Sequence, residues 1–396
     1  MIPDAVHRLL PIHEYMNFHP DVDLNYQFNR FLIPGLEDEY RVIARRVTTI
    51  ADWTSEFLAA AAAREQKGEL IAAAALYRAA EFFLPGFDPE RRRAYEKFVD
   101  LFHRSEAGQN ITRFAAPYEG RRLHGLTLAA SGPPRGRIVA FGGYDSYCEE
   151  FAAIGAALTL YGYEVAIFDG PGQGSTLMEE SLPMSAEWEK PVAAVLDHLG
   201  FDDVTLIGVS LGGGLVMRAA AFEPRVSRVV ACGPMVDLLQ CLTARGGRLL
   251  GAALHIGLAL GLDALVNAAA RRRMASDDHA RWAIDQGQFI MGAATPAAFF
   301  ARLGAFETRS ISGLVRQDVY VMAGAEDHLV PCGQYFQQLR LLTNARSVTG
   351  EMFSRADAAQ AHCQIGALAL ATARIAEWID AHNLLVGPGS ERRSAS

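Results

Sequence analysis

Gly208-Val209-Ser210-Leu211-Gly212 sets a serine hydroxyl where it can do acyl chemistry. The apolar run Val204-Thr205-Leu206-Ile207 precedes it, and a helix-like stretch from Gly213 to Phe222 follows. A strand feeding a helix through Gly-x-Ser-x-Gly turns too tightly for side chains two positions either side of the serine. Ser210 is thereby pushed out at the carboxyl end of a sheet, and the helix amino terminus behind it favours developing negative charge. Such a serine needs a base, and the base needs an acid to orient it. Asp318 to Ala323 (DVYVMA) reads as a buried strand running into Gly324-Ala325-Glu326-Asp327-His328-Leu329-Val330-Pro331. Asp327, just past that strand, is the expected acid, with Glu326 its neighbouring rival and Asp318 a strand boundary. His362 lies in Ala361-His362-Cys363-Gln364, ahead of the helical run Ile365 to His382, and is the expected base. His328 adjoins the acid and cannot easily also face the serine.

Acyl transfer also needs two backbone donors aimed at the carbonyl oxygen. The Leu211 amide, directly after the nucleophile, is one. The other is expected from Gly142-Gly143-Tyr144-Asp145-Ser146, the loop after the strand Arg137 to Phe141, with the amide of Gly143 or Tyr144 as donor. Glycines there let the backbone approach a ligand closely. Tyr144, Asp145 and Glu149 are the core side chains expected to touch substrate or protonate a leaving group. A further strand, Tyr163 to Phe168, ends in Asp169-Gly170-Pro171-Gly172-Gln173-Gly174-Ser175, which is expected to shape the rim of the site rather than react. The remaining histidines show no metal-ligand spacing, so neither a metal nor a cofactor is implied.

The elements that must hold these residues begin at about Ile111. Strands are expected over Ile111 to Pro117, Arg122 to Ala129 and Ile138 to Phe141, and then in alternation with helices. That alternation implies an α/β fold with a mainly parallel central sheet and helices on both faces. The core is expected over residues 113–235 and 313–386. Between them, residues 236–312 hold only helix-like segments after the strand Arg228 to Gly233, and read as a cap roofing the pocket. Its Phe289, Met291, Phe299, Phe300 and Phe306 suggest an apolar or aromatic small-molecule substrate, although most of them are expected simply to pack the cap. Residues 1–112 read as a helical domain, with runs over Glu37 to Ala63, Gly68 to Phe83 and Pro89 to Phe102 and a break at Lys67-Gly68. That domain is expected to stabilise the core, to close over the site or to build a homodimer. The polar tail 387–396 is expected to be disordered.

Composition narrows the class. The net charge of −8 makes nucleic acid a poor partner. Met1 to Arg30 contains no apolar leader segment, and the five scattered cysteines (Cys148, Cys232, Cys241, Cys332, Cys363) read as reduced thiols. Both point to a cytoplasmic protein. The stretch Leu249 to Val266 approaches the length of a membrane span, but His255, Asp263 and three glycines interrupt it. It is read as a lid helix without stable membrane insertion.

The Gly-x-Ser-x-Gly context resembles the α/β-hydrolase superfamily. With the amino-terminal helical domain, the chain resembles the family of 2,6-dihydroxypseudooxynicotine hydrolase and the fungal pigment hydrolases that shorten heptaketides. Asn25 to Phe31 (NYQFNRF), Lys67 to Phe83, Phe168 to Gly174 and Ala361 to Gly366 carry that resemblance. It implies an α/β-hydrolase fold with Ser210, Asp327 and His362 as triad. It also implies hydrolysis of a carbon–carbon bond next to a ketone in an aromatic or polyketide-like substrate. Phe141 stands where esterases of the His-Gly-Gly-Gly type carry histidine, which argues against that branch. The chain departs from its family in its own cap sequence and in having no acid between Ala358 and Ile375. Ester or thioester hydrolysis, an acyltransferase or cyclase reaction, and a non-catalytic ligand-binding role on the same scaffold remain as alternatives.

Overall fold

The computed structural model describes residues 2–244 and 247–385, without the side chains of residues 248, 249, 384 and 385. The tail expected to be disordered lies outside the described residues. Helices α1 (Asp4–Leu9), α2 (Val22–Phe31), α3 (Glu37–Ala44), α4 (Ile50–Gln66), α5 (Leu70–Phe82) and α6 (Pro89–Arg104) form the amino-terminal block. The single helix expected over Glu37 to Ala63 is two. Thr49 stops continuity by capping α4: its side chain accepts the Asp52 amide while Asp52 returns to the Thr49 amide. Helix α2 was not expected at all, although Asp21 caps it through the amides of Asp23 and Leu24. Gly68, at φ +75°, turns the chain between α4 and α5. Trp53, Phe57, Phe28 and Tyr40 stack tightly at the centre of this block.

Eight strands follow: β1 (Thr112–Tyr118), β2 (Arg121–Leu128), β3 (Gly136–Phe141), β4 (Tyr163–Phe168), β5 (Val204–Val209), β6 (Val226–Cys232), β7 (Asp318–Gly324) and β8 (Ser347–Phe353). They lie in the order β1-β2-β4-β3-β5-β6-β7-β8, and only the β1–β2 and β2–β4 pairings are antiparallel. β8 escaped the sequence reading because it is a half-exposed edge strand, SVTGEMF, with little apolar alternation. The core helices are α7 (Ala152–Leu160), α8 (Gly174–Glu180), α9 (Glu189–Leu199) and α10 (Gly212–Phe222). Between β6 and β7 come α11 (Leu238–Thr243), α12 (Gly247–Ala259), α13 (Asp263–Ser276), α14 (Asp278–Met291) and α15 (Pro296–Leu303), and then α16 (Gly333–Leu341) and α17 (Leu368–Leu385) complete the core. Among the described residues, no helix is long and apolar enough to cross a membrane.

The helical block and the β6–β7 insertion meet above the sheet. Trp282 of α14 donates to the Phe82 carbonyl at 3.0 Å, and Gln286 accepts from Arg91 at 2.5 Å. The inner strands β3 to β7 are almost wholly buried, which places their carboxyl ends under that double roof.

Candidate active site

Ser210 sits between β5 and α10 at φ +62°, a left-handed conformation unfavourable for a residue with a side chain. The turn is held by its amide, which donates to the Cys232 carbonyl at 2.7 Å, and by its carbonyl, which accepts from Gly213 at 2.8 Å. A Cβ on Gly208 would lie 1.9 Å from the Gly212 carbonyl oxygen, so no larger residue fits beneath the turn.

His362 Nε2 lies 2.8 Å from Ser210 Oγ, and His362 Nδ1 lies 2.6 Å from Asp327 Oδ2. The carboxylate holds the proton on Nδ1 and leaves Nε2 to accept from the serine. Asp327 Oδ1 accepts the amides of Leu329 and Val330 at 2.9 and 2.8 Å. Burial alone would raise this carboxyl. The facing His362 and those two amides outweigh it and hold Asp327 below the ordinary aspartate range. Glu326 turns outward to Arg355, and Asp318 pairs with Arg346 at the start of β7. His362 is carried on a tight loop whose next two residues, Cys363 and Gln364, both adopt positive φ. Burial pushes the Cys363 thiol well up, so it stays neutral beside the histidine.

The loop after β3 closes against the serine. A Cβ on Gly143 would lie 2.7 Å from Ser210 Cβ and 2.9 Å from the Leu211 amide, so glycine leaves room there. Gln173 Nε2 donates to the carbonyls of Gly142 and Gly143 at 2.8 and 2.7 Å. The Gly143 amide is engaged by Ser146 Oγ at 3.1 Å. In a trans peptide the Tyr144 N–H points opposite the Gly143 carbonyl, away from Gln173. Of the two loop amides expected as donors, that of Gly143 is therefore already engaged. Gln173, expected only to shape a rim, fixes the peptides of this loop.

Two of the side chains expected to touch substrate have partners within the protein. Asp145 is taken by Arg30, whose Nη1 donates to its carboxylate at 2.8 Å. Glu149 is buried against His103 and Cys148, at 3.2 and 3.4 Å. Adjacent sequence position did not distinguish side chains facing the serine from those turned under the helical block. Tyr144 alone of the three keeps a buried hydroxyl with no hydrogen-bond partner, next to Gly287 of α14.

The sequence reading assigned no role to α2, yet this helix reaches the site. The Tyr26 ring centroid is 5.9 Å from that of His362 and 5.0 Å from that of His328. Arg30 and Arg78 both donate to the Asp145 carbonyl, at 3.2 and 2.6 Å. The only earlier signal was the resemblance carried by Asn25 to Phe31. Among the described residues, one trio could contribute metal ligands: Cys148, Glu149 and Asp169, whose donor atoms lie within 4.8 Å of one another. The Cys148 thiol donates to Glu149 and the Ser175 amide to Asp169, so the trio already satisfies itself apart from Ser210.

Hydrolase LUC6 of a Fusarium species is 36% identical to this chain over 197 residues, 44% of the chain and 46% of that protein. The 20-hydroxy-prefusarin hydrolase FUS2 of Gibberella moniliformis is 31% identical over 255 residues, 57% of the chain and 58% of that protein. The chain thus spans about half the length of these curated relatives. The crystal structure of 2,6-dihydroxy-pseudo-oxynicotine hydrolase shares the fold, with a TM-score of 0.62 and 20% identity, covering 89% of this chain and 94% of that one. The family described as alpha/beta hydrolase fold matches residues 123–351. With that match over more than half its length, and with the sheet order and serine turn described above, the chain belongs to the alpha/beta hydrolase fold family.

Proposed function

We propose that the protein is a serine hydrolase acting through an acyl-enzyme. Its proposed reaction is cleavage of a carbon–carbon bond next to a ketone in an aromatic or polyketide-like small molecule. The observation that carries the catalytic part is the unbroken hydrogen-bonded chain Asp327–His362–Ser210. His362 takes the proton of Ser210 as its oxygen attacks the substrate carbonyl. The amides of Leu211 and Tyr144 receive the oxyanion; loss of one such donor costs about 2.7–4 kcal/mol of transition-state stabilisation. Collapse expels the leaving carbon with its electron pair, and the proton on His362 returns to that fragment. Water deprotonated by His362 then releases the acyl group. Support for the bond type is the resemblance carried by Asn25 to Phe31 and the helical block. The name of the FUS2 relative, a hydrolase of 20-hydroxy-prefusarin, supports a natural-product substrate.

The test is labelling with a fluorophosphonate, the adduct located by mass spectrometry in wild type and in Ser210→Ala. Labelling at Ser210 alone is expected, and a folded protein that takes no label contradicts the serine reading. Product analysis on a 1,3-diketone and on an ester then assigns the bond, and added alcohol distinguishes hydrolysis from transfer.

A further inference from the structure

We propose that Tyr26 is a catalytic hydrogen-bond donor to the leaving fragment, holding the enolate oxygen that carbon–carbon cleavage releases. This rests on the carbon–carbon reading above.

Asp23, Tyr26, Gln27 and Arg30 recur at helical spacing and share one face of α2. Three of them are tied to different parts of the site. Asp23 Oδ1 lies 3.4 Å from His328 Nε2, beside the acid. Tyr26 packs its ring on His362. Arg30 binds Asp145 and Glu150, beyond the loop amide of Tyr144. Helix α2 is thus strapped from the histidine side of the site to the oxyanion-loop side. Tyr26 lies between these two anchors along α2, its ring beside His362.

Cys363, Asp327, Arg30 and Asp145 all act electrostatically on the Tyr26 phenol. The side chain is 4% exposed, yet no residue among those described hydrogen-bonds its hydroxyl. The neighbouring Gln27 is 9% exposed, and its Oε1 also lacks a partner. An unpaired hydroxyl on a buried side chain that packs against His362 points to a ligand. Burial pushes the phenol well above its ordinary value of 10, so it is a neutral donor at any working pH.

The chemistry fits a 1,3-dicarbonyl compound, whose enol first returns to the diketo form as its hydroxyl proton moves to the α-carbon. Ser210 Oγ bonds to one carbonyl carbon and its proton passes to His362. As the carbon–carbon bond breaks, its electron pair moves onto the α-carbon and into the second carbonyl. That oxygen becomes the enolate and accepts from the Tyr26 hydroxyl. The proton on His362 then closes the α-carbon, giving a neutral ketone.

The experiment compares Tyr26→Phe with wild type on 1-phenylbutane-1,3-dione and on 4-nitrophenyl butyrate, whose nitrophenolate leaves without help. The expected result is a loss of about a hundredfold in kcat on the diketone and a loss at least about tenfold smaller on the ester. Equal loss on both substrates, or no loss on the diketone, overturns the role of Tyr26. A wild-type protein that turns over the ester but not the diketone overturns the bond assignment itself, and the role of Tyr26 with it. Fluorophosphonate labelling at Ser210 verifies that Tyr26→Phe is folded. As a second measurement, Ser210→Ala should bind the diketone with a shifted enol absorbance, and Ser210→Ala/Tyr26→Phe should lose the shift. An identical spectrum in both overturns the contact.

Discussion

Arg78 donates to the main-chain carbonyl of Asp145 over 2.6 Å, tying a helix of the amino-terminal block to the Asp145–Ser146 peptide of the loop that carries Tyr144. The same guanidinium pairs with Glu81 and Glu150, and it is 2% exposed. A lysine there keeps the charge but cannot fork between a carbonyl and two carboxylates. Arg78→Lys is therefore expected to lower kcat on an ester by about tenfold, with KM nearly unchanged, because one oxyanion donor loses its position. Arg78→Met takes one partner from each of Glu81 and Glu150, which keep Arg91 and Arg30, and should cost about 1–3 kcal/mol in urea unfolding. Equal kinetics in Arg78→Lys and wild type would show that the clamp is merely architectural.

Gln173 offers a local test of the same loop. Its amide grips two successive carbonyls, and its own Oε1 accepts the Gly170 amide at 3.0 Å. Gln173→Ala frees the Gly142 and Gly143 carbonyls, and the peptide before Tyr144 can rotate. The expected outcome is a kcat loss of about tenfold to a hundredfold. Gln173→Glu should do worse, since a carboxylate would face two carbonyl oxygens. Rates of fluorophosphonate labelling at Ser210 should fall in the same order.

The low position of the Asp327 carboxyl makes a statement about acid stability. A carboxyl whose folded value is depressed contributes stability that is fully present above its unfolded value. That contribution is lost as pH falls through the depressed folded value. The ordinary aspartate value is 3.8, so the window lies at and below that point. Asp327→Asn removes the titration. Its melting temperature should be lower than wild type at neutral pH, and the gap should shrink as pH falls below about 4. Thermal unfolding across that range measures it; a constant gap would mean that Asp327 is not held low.

The meeting of Ser210, Asp327 and His362 was legible because each stands just past a recognisable strand or on the loop ahead of a helix, in an order that one topology brings together. Asp327 was separable from Glu326 only by direction, since adjacent residues leave a turn on opposite sides. The fate of Asp145 and Glu149 was not legible for a related reason. Their partners, Arg30 and His103, lie in helices far away in the chain, and no local spacing encodes that meeting. Tyr26 was hidden in the same way: apolar periodicity reports that a face is buried, not what it is buried against. The Thr49 capping box, by contrast, was present in the sequence, and the alanine run beyond it drew attention from the break.

Two glycines beside the nucleophile should fail differently when each is given a methyl group. At Gly208 the added carbon would stand 1.9 Å from the Gly212 carbonyl oxygen, in backbone that cannot retreat without opening the turn. Gly208→Ala is expected to destabilise the fold by about 1–3 kcal/mol or more. At Gly143 the added carbon would meet Ser210 Oγ at 3.0 Å and the Leu211 amide at 2.9 Å, which is the space an oxyanion needs. Two of the three nearest atoms there belong to the Ser210 side chain rather than to backbone inside the turn. Gly143→Ala should therefore melt close to wild type while losing about a hundredfold or more in ester turnover. A Gly143→Ala protein with ordinary turnover would move the oxyanion site away from Leu211 and Tyr144.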